Sequence, residues 1–222
     1  MNKNSKPILY YVYDPMCSWC WGYRPTWVLL QKKLESVVDI HLLVGGLAED
    51  SNAPMPEHMQ GFLQQTWHKI SAQLGTQFNF DFWSQCQPKR STYPSCRATI
   101  IAREYNKEKA MCLAIQEAYY LHAKNPSEVN TLVELAESIG LDGDLFSQQI
   151  KSDKVNQQLM HEIAKVRTLP IQGFPSLALA VGEDLYPIRL DYKNEQISFD
   201  MVSAILVDLV GNENLSNHKS ND

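Results

Sequence analysis

Ile8-Leu9-Tyr10-Tyr11-Val12-Tyr13-Asp14-Pro15-Met16-Cys17-Ser18-Trp19-Cys20-Trp21-Gly22 is the stretch that decides how this chain is read. Residues 8–13 are a short apolar run of aliphatic and aromatic side chains, the pattern of a buried strand. Asp14-Pro15 breaks the run. Helical spacing follows from Cys17 to Ser36 through Trp27, Leu30 and Leu34. Cys17 and Cys20 therefore sit at a strand-to-helix junction. Residues i and i+3 share a helix face, which puts their Cα atoms about 5–6 Å apart, within the range a disulfide requires. Such a pair closes and reopens without large backbone movement.

Outward from this stretch, Asp39 to Val44 reads as a second strand, ended by Gly45-Gly46. A strand, a helix and a strand in that order favour parallel pairing with a right-handed crossover. Pro25 falls inside the first helix and predicts a bend there, because proline removes a backbone hydrogen bond. From Leu47 to Pro56 the chain is loop-like, and the pattern is then helical for about a hundred residues. Met59, Phe62, Leu63, Trp67, Ile70 and Leu74 form one apolar stripe, closed by Gly75. Further stripes contain Ala98 and Ile101, then Met111 and Ile115, then Leu132 and Ala136, then Phe146 and Ile150. Helix-to-helix packing accounts for all of them.

Val155, Leu159, Ile163 and Val166 define one more helix, ending before Pro170. Ser176 to Val181 and Leu185 to Leu190 read as an antiparallel hairpin around Gly182-Glu183-Asp184. Pro187 places the second of these strands at an edge or a bulge. Ser198 is the expected N-cap of a last helix, and Gly211 its expected stop. Residues 212–222 read as a polar, flexible tail.

The bulk numbers restrict the class. The 222 residues, 44% hydrophobic and 20% charged, suit one compact soluble unit or one domain carrying an insertion. A net charge of −5 argues against non-specific nucleic-acid binding, which shows a basic stripe. The apolar run at residues 8–13 is short for a signal peptide and far short of a membrane span, so a cytoplasmic protein is expected, with no membrane partner. In that compartment thiol pools oppose structural disulfides, so Cys17 and Cys20 point to catalysis, sensing or metal binding. A structural zinc site needs four ligands. Cys86, Cys96 and Cys112 form no second pair at this spacing and the histidines form no metal motif, so no metal is expected. Cys112 lies on an apolar helical stripe and reads as a buried structural thiol. Cys86 and Cys96 are expected to stay unpaired.

These residues resemble a known family. The chain is similar to the DsbA-like branch of the thioredoxin superfamily, and within it to the bacterial group of protein-disulfide isomerases that opens with strand–Asp-Pro-Met-Cys-x-Trp-Cys-Trp–helix. The resemblance implies an α/β thioredoxin fold with a mixed sheet, interrupted by an all-helical insertion: residues 1–49 and 153–211 form the thioredoxin-like domain and 50–152 the insertion. It also implies that Cys17 is the attacking cysteine and Cys20 the resolving one. Pro175 matches a cis-proline beside the pair, with Phe174 before it, and Pro25 matches a helix-kinking proline. Ser18-Trp19 departs from the dipeptides of the best-known relatives, and Tyr11 stands where many keep an acid.

The implied chemistry is thiol–disulfide exchange. A thiolate is the nucleophile, and a helix start favours an anionic sulfur through free N–H groups and the dipole. Cys17 exchanges with a substrate sulfur, and Cys20 then resolves the mixed disulfide. Ser18 is expected to donate a hydrogen bond to the sulfur, and Trp19, Trp21 and Phe174 to form an apolar rim. With Pro175, Ser18, Trp19 and Phe174 make up the expected substrate-binding set. A carboxylate near Cys17 would disfavour its anion, so Asp14 is expected instead to cap the helix start or the turn at Pro15. The expected partners are thiol- or disulfide-containing proteins or peptides. No bound cofactor is expected, with glutathione a candidate redox co-substrate. Two rivals stand beside this reading: a glutathione-dependent transferase or isomerase of the kappa class, which resembles the same split fold, and a non-enzymatic redox sensor.

Overall fold

The computed structural model describes the backbone of residues 6–218 and the side chains of residues 6–208. In chain order the elements are β1 (Ile8–Tyr13), α1 (Ser18–Leu34), β2 (Asp39–Val44), α2 (Glu57–Leu74), α3 (Phe82–Gln85), α4 (Tyr93–Glu104), α5 (Glu108–Tyr120), α6 (Val129–Ser138), α7 (Gly143–Gln149), α8 (Asp153–Val166), β3 (Ser176–Val181), β4 (Asp184–Ile188) and α9 (Glu195–His218). The four strands form one sheet in the order β2-β1-β3-β4. β1 and β2 run parallel, with Ile8 opposite Asp39 and Tyr13 opposite Val44. β3 pairs antiparallel with both β1 and β4. The sheet is therefore mixed, and its order follows from the helical crossover between β1 and β2 and the tight hairpin between β3 and β4. Pro187 lies on β4, an edge strand, where a missing N–H disrupts least.

The period of two along β1 sorts its side chains between two layers. Leu9, Tyr11 and Tyr13 belong to the large core that also contains Tyr23, Trp27, Leu30 and Leu34 of α1. Tyr10 and Val12 face the other way, into a smaller core with Leu43, Val166, Leu169 and Ala178. The large core runs on into the helices between β2 and α8. There Trp67 is fully buried in an aromatic cluster with Phe78, Phe82, Tyr119 and Tyr120. α2 lies close against α1 at Gly22, where a Cβ would stand 2.9 Å from Ile70 and from Leu74.

Four expectations are corrected. On α2 the apolar stripe does not all face the core: Trp67 and Ile70 are buried, but Phe62 is 61% exposed. Period alone locates a helix face without saying how far a neighbour extends along it. α9 starts at Glu195, where the Asn194 side chain accepts from the Gln196 N–H. Ser198 is thus inside the helix, fully buried, and donates to the Arg189 carbonyl at 2.8 Å. Gly211 does not stop α9, which runs on to His218. Glycine in a helix interior costs only about 1 kcal/mol, and it ends a helix only where the chain turns left-handed. Residues 212–218 of the expected tail are therefore helical, and 219–222 lie outside the described residues. Pro25 lies inside α1, as the sequence places it.

Candidate active site

The site begins with a turn. The Cys17 N–H donates to the Asp14 carbonyl at 3.0 Å, which folds Asp14-Pro15-Met16-Cys17 back at the end of β1. Cys17 is the extended N-cap of α1, with φ −81° and ψ 117°, and its carbonyl accepts the first helical bond, from Trp21 at 3.1 Å. The opening N–H groups of a helix have no partners within it. Here the Cys17 side chain makes no capping hydrogen bond to them. The Cys17 thiol donates to the Phe174 carbonyl at 3.6 Å across 157 positions of sequence. The Phe174–Pro175 peptide is cis.

The Phe174 ring occupies the surface of Gly45, where a Cβ would lie 2.1 Å from it. The glycine after β2 thus makes room for the loop that reaches Cys17. Cys20 lies one turn deeper, 1% exposed against 7% for Cys17. Burial pushes its thiol well above the usual cysteine range, and its hydrogen bond with Cys17 adds to this. Cys20 is the shielded partner of the two.

Asp14 is fully buried and serves as a knot. One oxygen accepts from the Met16 N–H at 2.8 Å. The other accepts from the Leu47 N–H at 2.7 Å, the Thr92 hydroxyl at 2.6 Å and the Cys96 thiol at 3.5 Å. It therefore joins the cysteine turn to the loop after β2 and to the start of α4. The expectation that Asp14 caps the turn accounts for the first of these bonds only. Burial raises its carboxyl above the ordinary range, and the hydrogen bonds oppose that rise.

Ser18 is turned towards α2, where its hydroxyl accepts the indole N–H of Trp67 at 3.0 Å. Its recorded partner is that indole, not the Cys17 sulfur. The expected rim of Trp19, Trp21 and Phe174 is divided. Trp19, half-buried, packs edge-on against Tyr192 at 5.1 Å, with the Lys69 ammonium 5.8 Å from its ring. Trp21 stacks on Tyr120 at 5.7 Å and donates to the Gln77 carbonyl at 3.1 Å. Phe174 is on the Gly45 side. Tyr192 has no signal in sequence spacing. The Thr26 hydroxyl, which donates to its carbonyl at 2.7 Å, holds that loop on α1.

Beneath the pair, Tyr11 stacks on Trp27 with ring centroids 4.1 Å apart. Burial raises its phenol well above the usual range, with Cys20 the next cause. Cys86 donates to the Ala123 carbonyl at 2.8 Å, whereas Cys96 is turned to Asp14, so those two thiols serve different contacts. Cys112 is half-buried rather than fully enclosed. It lines a small cavity, and burial pushes its thiol up to about 12. Among the described residues, no group of three or more His, Cys, Asp or Glu side chains is placed to hold a metal ion. No helix among them is long and apolar enough to cross a membrane.

Comparison with known proteins agrees with this geometry. A family model described as Thioredoxin matches residues 10–184. The ClpXP adapter protein SpxH of Bacillus subtilis (strain 168) is 22% identical over 218 residues, covering 94% of this chain and 69% of that protein. Among solved structures, a candidate protein disulfide isomerase from Nitrosomonas europaea is 26% identical with a TM-score of 0.80, over 92% of this chain and 99% of that one. The cytosolic disulfide reductase DsbM from Pseudomonas aeruginosa, 23% identical, shares the fold with a TM-score of 0.71 over 90% of this chain and 99% of its own. A second structure of that reductase includes GSH. The mixed sheet, the cysteine turn at the start of α1 and the matched span together place this chain in the thioredoxin family, with a DsbA-like fold.

Proposed function

We propose that this protein is a thiol–disulfide oxidoreductase, active as a disulfide isomerase or reductase, in which Cys17 attacks and Cys20 resolves. The carrying observation is the placement of Cys17. It caps α1, its sulfur faces the Phe174 carbonyl, and the more deeply buried Cys20 lies one turn behind it. The attacking sulfur displaces one sulfur of a substrate disulfide and forms a mixed disulfide. Cys20 then attacks the Cys17 sulfur, so that the second substrate thiolate leaves and a Cys17–Cys20 disulfide remains. Reduction by an external thiol returns the dithiol.

Phe174, whose carbonyl lies beside the Cys17 sulfur, carries substrate recognition in this reading together with Pro175 and Trp19. The Phe174 backbone beside the sulfur offers a polar edge to an extended peptide. Substrates are proteins or peptides with accessible disulfides. The DsbM structure that includes GSH supports glutathione as the small-thiol co-substrate.

The test is insulin reduction and scrambled-ribonuclease reactivation, with the Cys17–Cys20 potential measured by glutathione equilibration. Cys17→Ser is expected to abolish turnover in both assays, and full retention would refute the assignment. Cys20→Ser is expected to accumulate mixed disulfide. Sustained glutathione conjugation by Cys20→Ser would instead identify a single-nucleophile transferase, and oxidation of the pair without multiple turnover would identify a sensor.

A further inference from the structure

β2 is an edge strand, paired on one side only, with β1. In such a strand the N–H and C=O of alternate residues point to opposite sides. The Asp39 N–H donates to the Pro7 carbonyl and the Gly45 N–H to the Tyr13 carbonyl, both at 2.7 Å, so the odd-numbered residues are turned to β1. Ile40, Leu42 and Val44 are turned outward. Side chains cover two of their backbone groups. The Glu162 carboxylate accepts from the Val44 N–H at 2.9 Å, and the Arg103 guanidinium donates to the Leu42 carbonyl at 3.3 Å. The Ile40 N–H, the Ile40 carbonyl and the Leu42 N–H have no partner strand among the described residues. An edge of this kind is a template for another chain.

A groove of about 740 Å³ runs along this edge. Asp39 to Leu43 line it, with Glu35 near the end of α1 and Lys109 near the start of α5. Five residues of strand extend about 16 Å, so the lined length suits a short strand. Its charge is divided between its ends. Lys6 pairs with Asp39 and donates to the Glu35 carbonyl, which puts Glu35 and Asp39 together at one end. Lys109 is at the other end, beside Glu108, whose carboxylate pairs with the same Arg103 that covers Leu42. Among the described residues neither the Glu35 carboxylate nor the Lys109 ammonium is in an ion pair. Between these ends Ile40 and Leu42 are half-buried.

We propose that this edge binds one extended segment of a partner polypeptide, added antiparallel to β2, with an acidic residue towards Lys109, apolar residues beside Leu42 and Ile40, and a basic residue towards Glu35. Antiparallel pairing is the more stable arrangement per residue, and it sets the order acidic to basic from the N-terminus of the segment. The residue opposite Ile40 exchanges both backbone bonds with it, and the residue two before accepts from the Leu42 N–H. Main-chain bonds supply affinity and the charged ends supply direction. A second copy of this chain fits less well, because it would bring its own helices against α1 and the α4–α5 corner. The docking edge is remote from the reactive sulfur. Asp39 and Ile8 are at the opposite end of the β1–β2 register from Tyr13 and Val44, which lead into the cysteine turn and Gly45. A partner held here leaves Cys17 accessible, and the proposal does not rest on the exchange chemistry above.

The experiment titrates the peptide acetyl-Glu-Val-Thr-Val-Lys-amide into the ¹⁵N-labelled full-length chain. The Ile40 and Leu42 amide signals are expected to shift, with a dissociation constant below about 1 mM. N-methylation of the second valine, whose N–H meets the Ile40 carbonyl, is expected to weaken binding about tenfold. N-methylation of the threonine, whose N–H points away from β2, is expected to change it less than about threefold. The double variant Glu35→Lys with Lys109→Glu is expected to prefer the charge-reversed peptide acetyl-Lys-Val-Thr-Val-Glu-amide about fivefold over the original. The peptide comparison leaves the chain unaltered, so it holds even if the double variant does not fold. The absence of any shift at about 1 mM peptide, equal binding of the two N-methylated peptides, or a dimer of this chain that excludes the peptide would overturn the proposal.

Discussion

Removing the Asp14 carboxylate tests whether the cysteine turn is held by a buried knot. Asp14→Ala strands the Met16 N–H, the Leu47 N–H and the Thr92 hydroxyl, all within 2.6–2.8 Å of the carboxylate. Each buried donor left without a partner costs about 1–3 kcal/mol. Against this, the variant no longer buries an ionisable group, and Thr92 also lies 3.4 Å from the Ala48 carbonyl and can turn to it. The expected net loss is about 3 kcal/mol, or about 6–12 °C in Tm for a chain of this size. Asp14→Asn keeps one oxygen. If that oxygen takes the position shared by Leu47 and Thr92, only the Met16 N–H faces an amide donor, for a loss of about 1 kcal/mol.

The pH dependence separates this from simple cavity formation. Burial raises the Asp14 carboxyl in the folded chain, so between the unfolded pKa and the raised folded one the native state holds more protons than the unfolded state. Stability from this group is therefore largest at low pH and falls as pH rises through that window. Asp14→Asn removes that slope. Urea unfolding across acid to neutral pH measures both effects. A loss below about 1 kcal/mol for Asp14→Ala, or equal losses for Ala and Asn, would refute the knot.

Gly45→Ala drives a methyl into the Phe174 ring; it is expected to cost about 1–3 kcal/mol and to slow insulin reduction, because the displaced loop carries the carbonyl beside Cys17. Trp67→Phe loses the indole N–H to Ser18 within a fully buried cluster and should cost about 1–2 kcal/mol in denaturant unfolding, against about 3–5 for Trp67→Ala. Arg103→Met leaves the Glu108 and Glu162 carboxylates, both paired to it between α5 and α8, without their cation. Because Arg103 is 37% exposed, solvent screens the pair and the expected loss is about 2 kcal/mol. Burial already raises Glu108, so this variant should weaken further as pH rises through the carboxylate range, readable as a Tm that falls from acid to neutral pH.

The parts of this fold legible in sequence are those fixed by local period and chain breaks. A six-residue apolar run, a helix-spaced segment and a second short run make a parallel unit almost regardless of what surrounds them. Gly182 between two apolar runs specifies a hairpin in the same way. Phe62 depends on how far a neighbouring element extends, which period does not encode, whereas Gly211 depends on its own backbone conformation, since a glycine ends a helix only where the chain turns left-handed. Ser198 was misread because Asn194, four residues earlier, is an equally good cap, and the choice rests on the position of the Arg189 carbonyl.

At the site, residues near one another in sequence were legible and residues brought together by the fold were not. Cys17 and Cys20 are visible through spacing, and Pro175 only through resemblance. Ser18 was assigned to the nearest sulfur, yet a hydroxyl at the first position of a helix has two neighbourhoods, and here a buried indole N–H without another acceptor determines the outcome. That contact has a functional consequence. Trp67 is on α2, Thr92 at the start of α4 and Tyr120 on α5, so three helices from outside the sheet meet the cysteine turn through Ser18, Asp14 and Trp21. A turn held from three sides keeps the Cys17 sulfur in place against the Phe174 carbonyl, as the exchange proposed above requires. The helices between β2 and α8 thus hold the cysteine turn as much as the strand that delivers it.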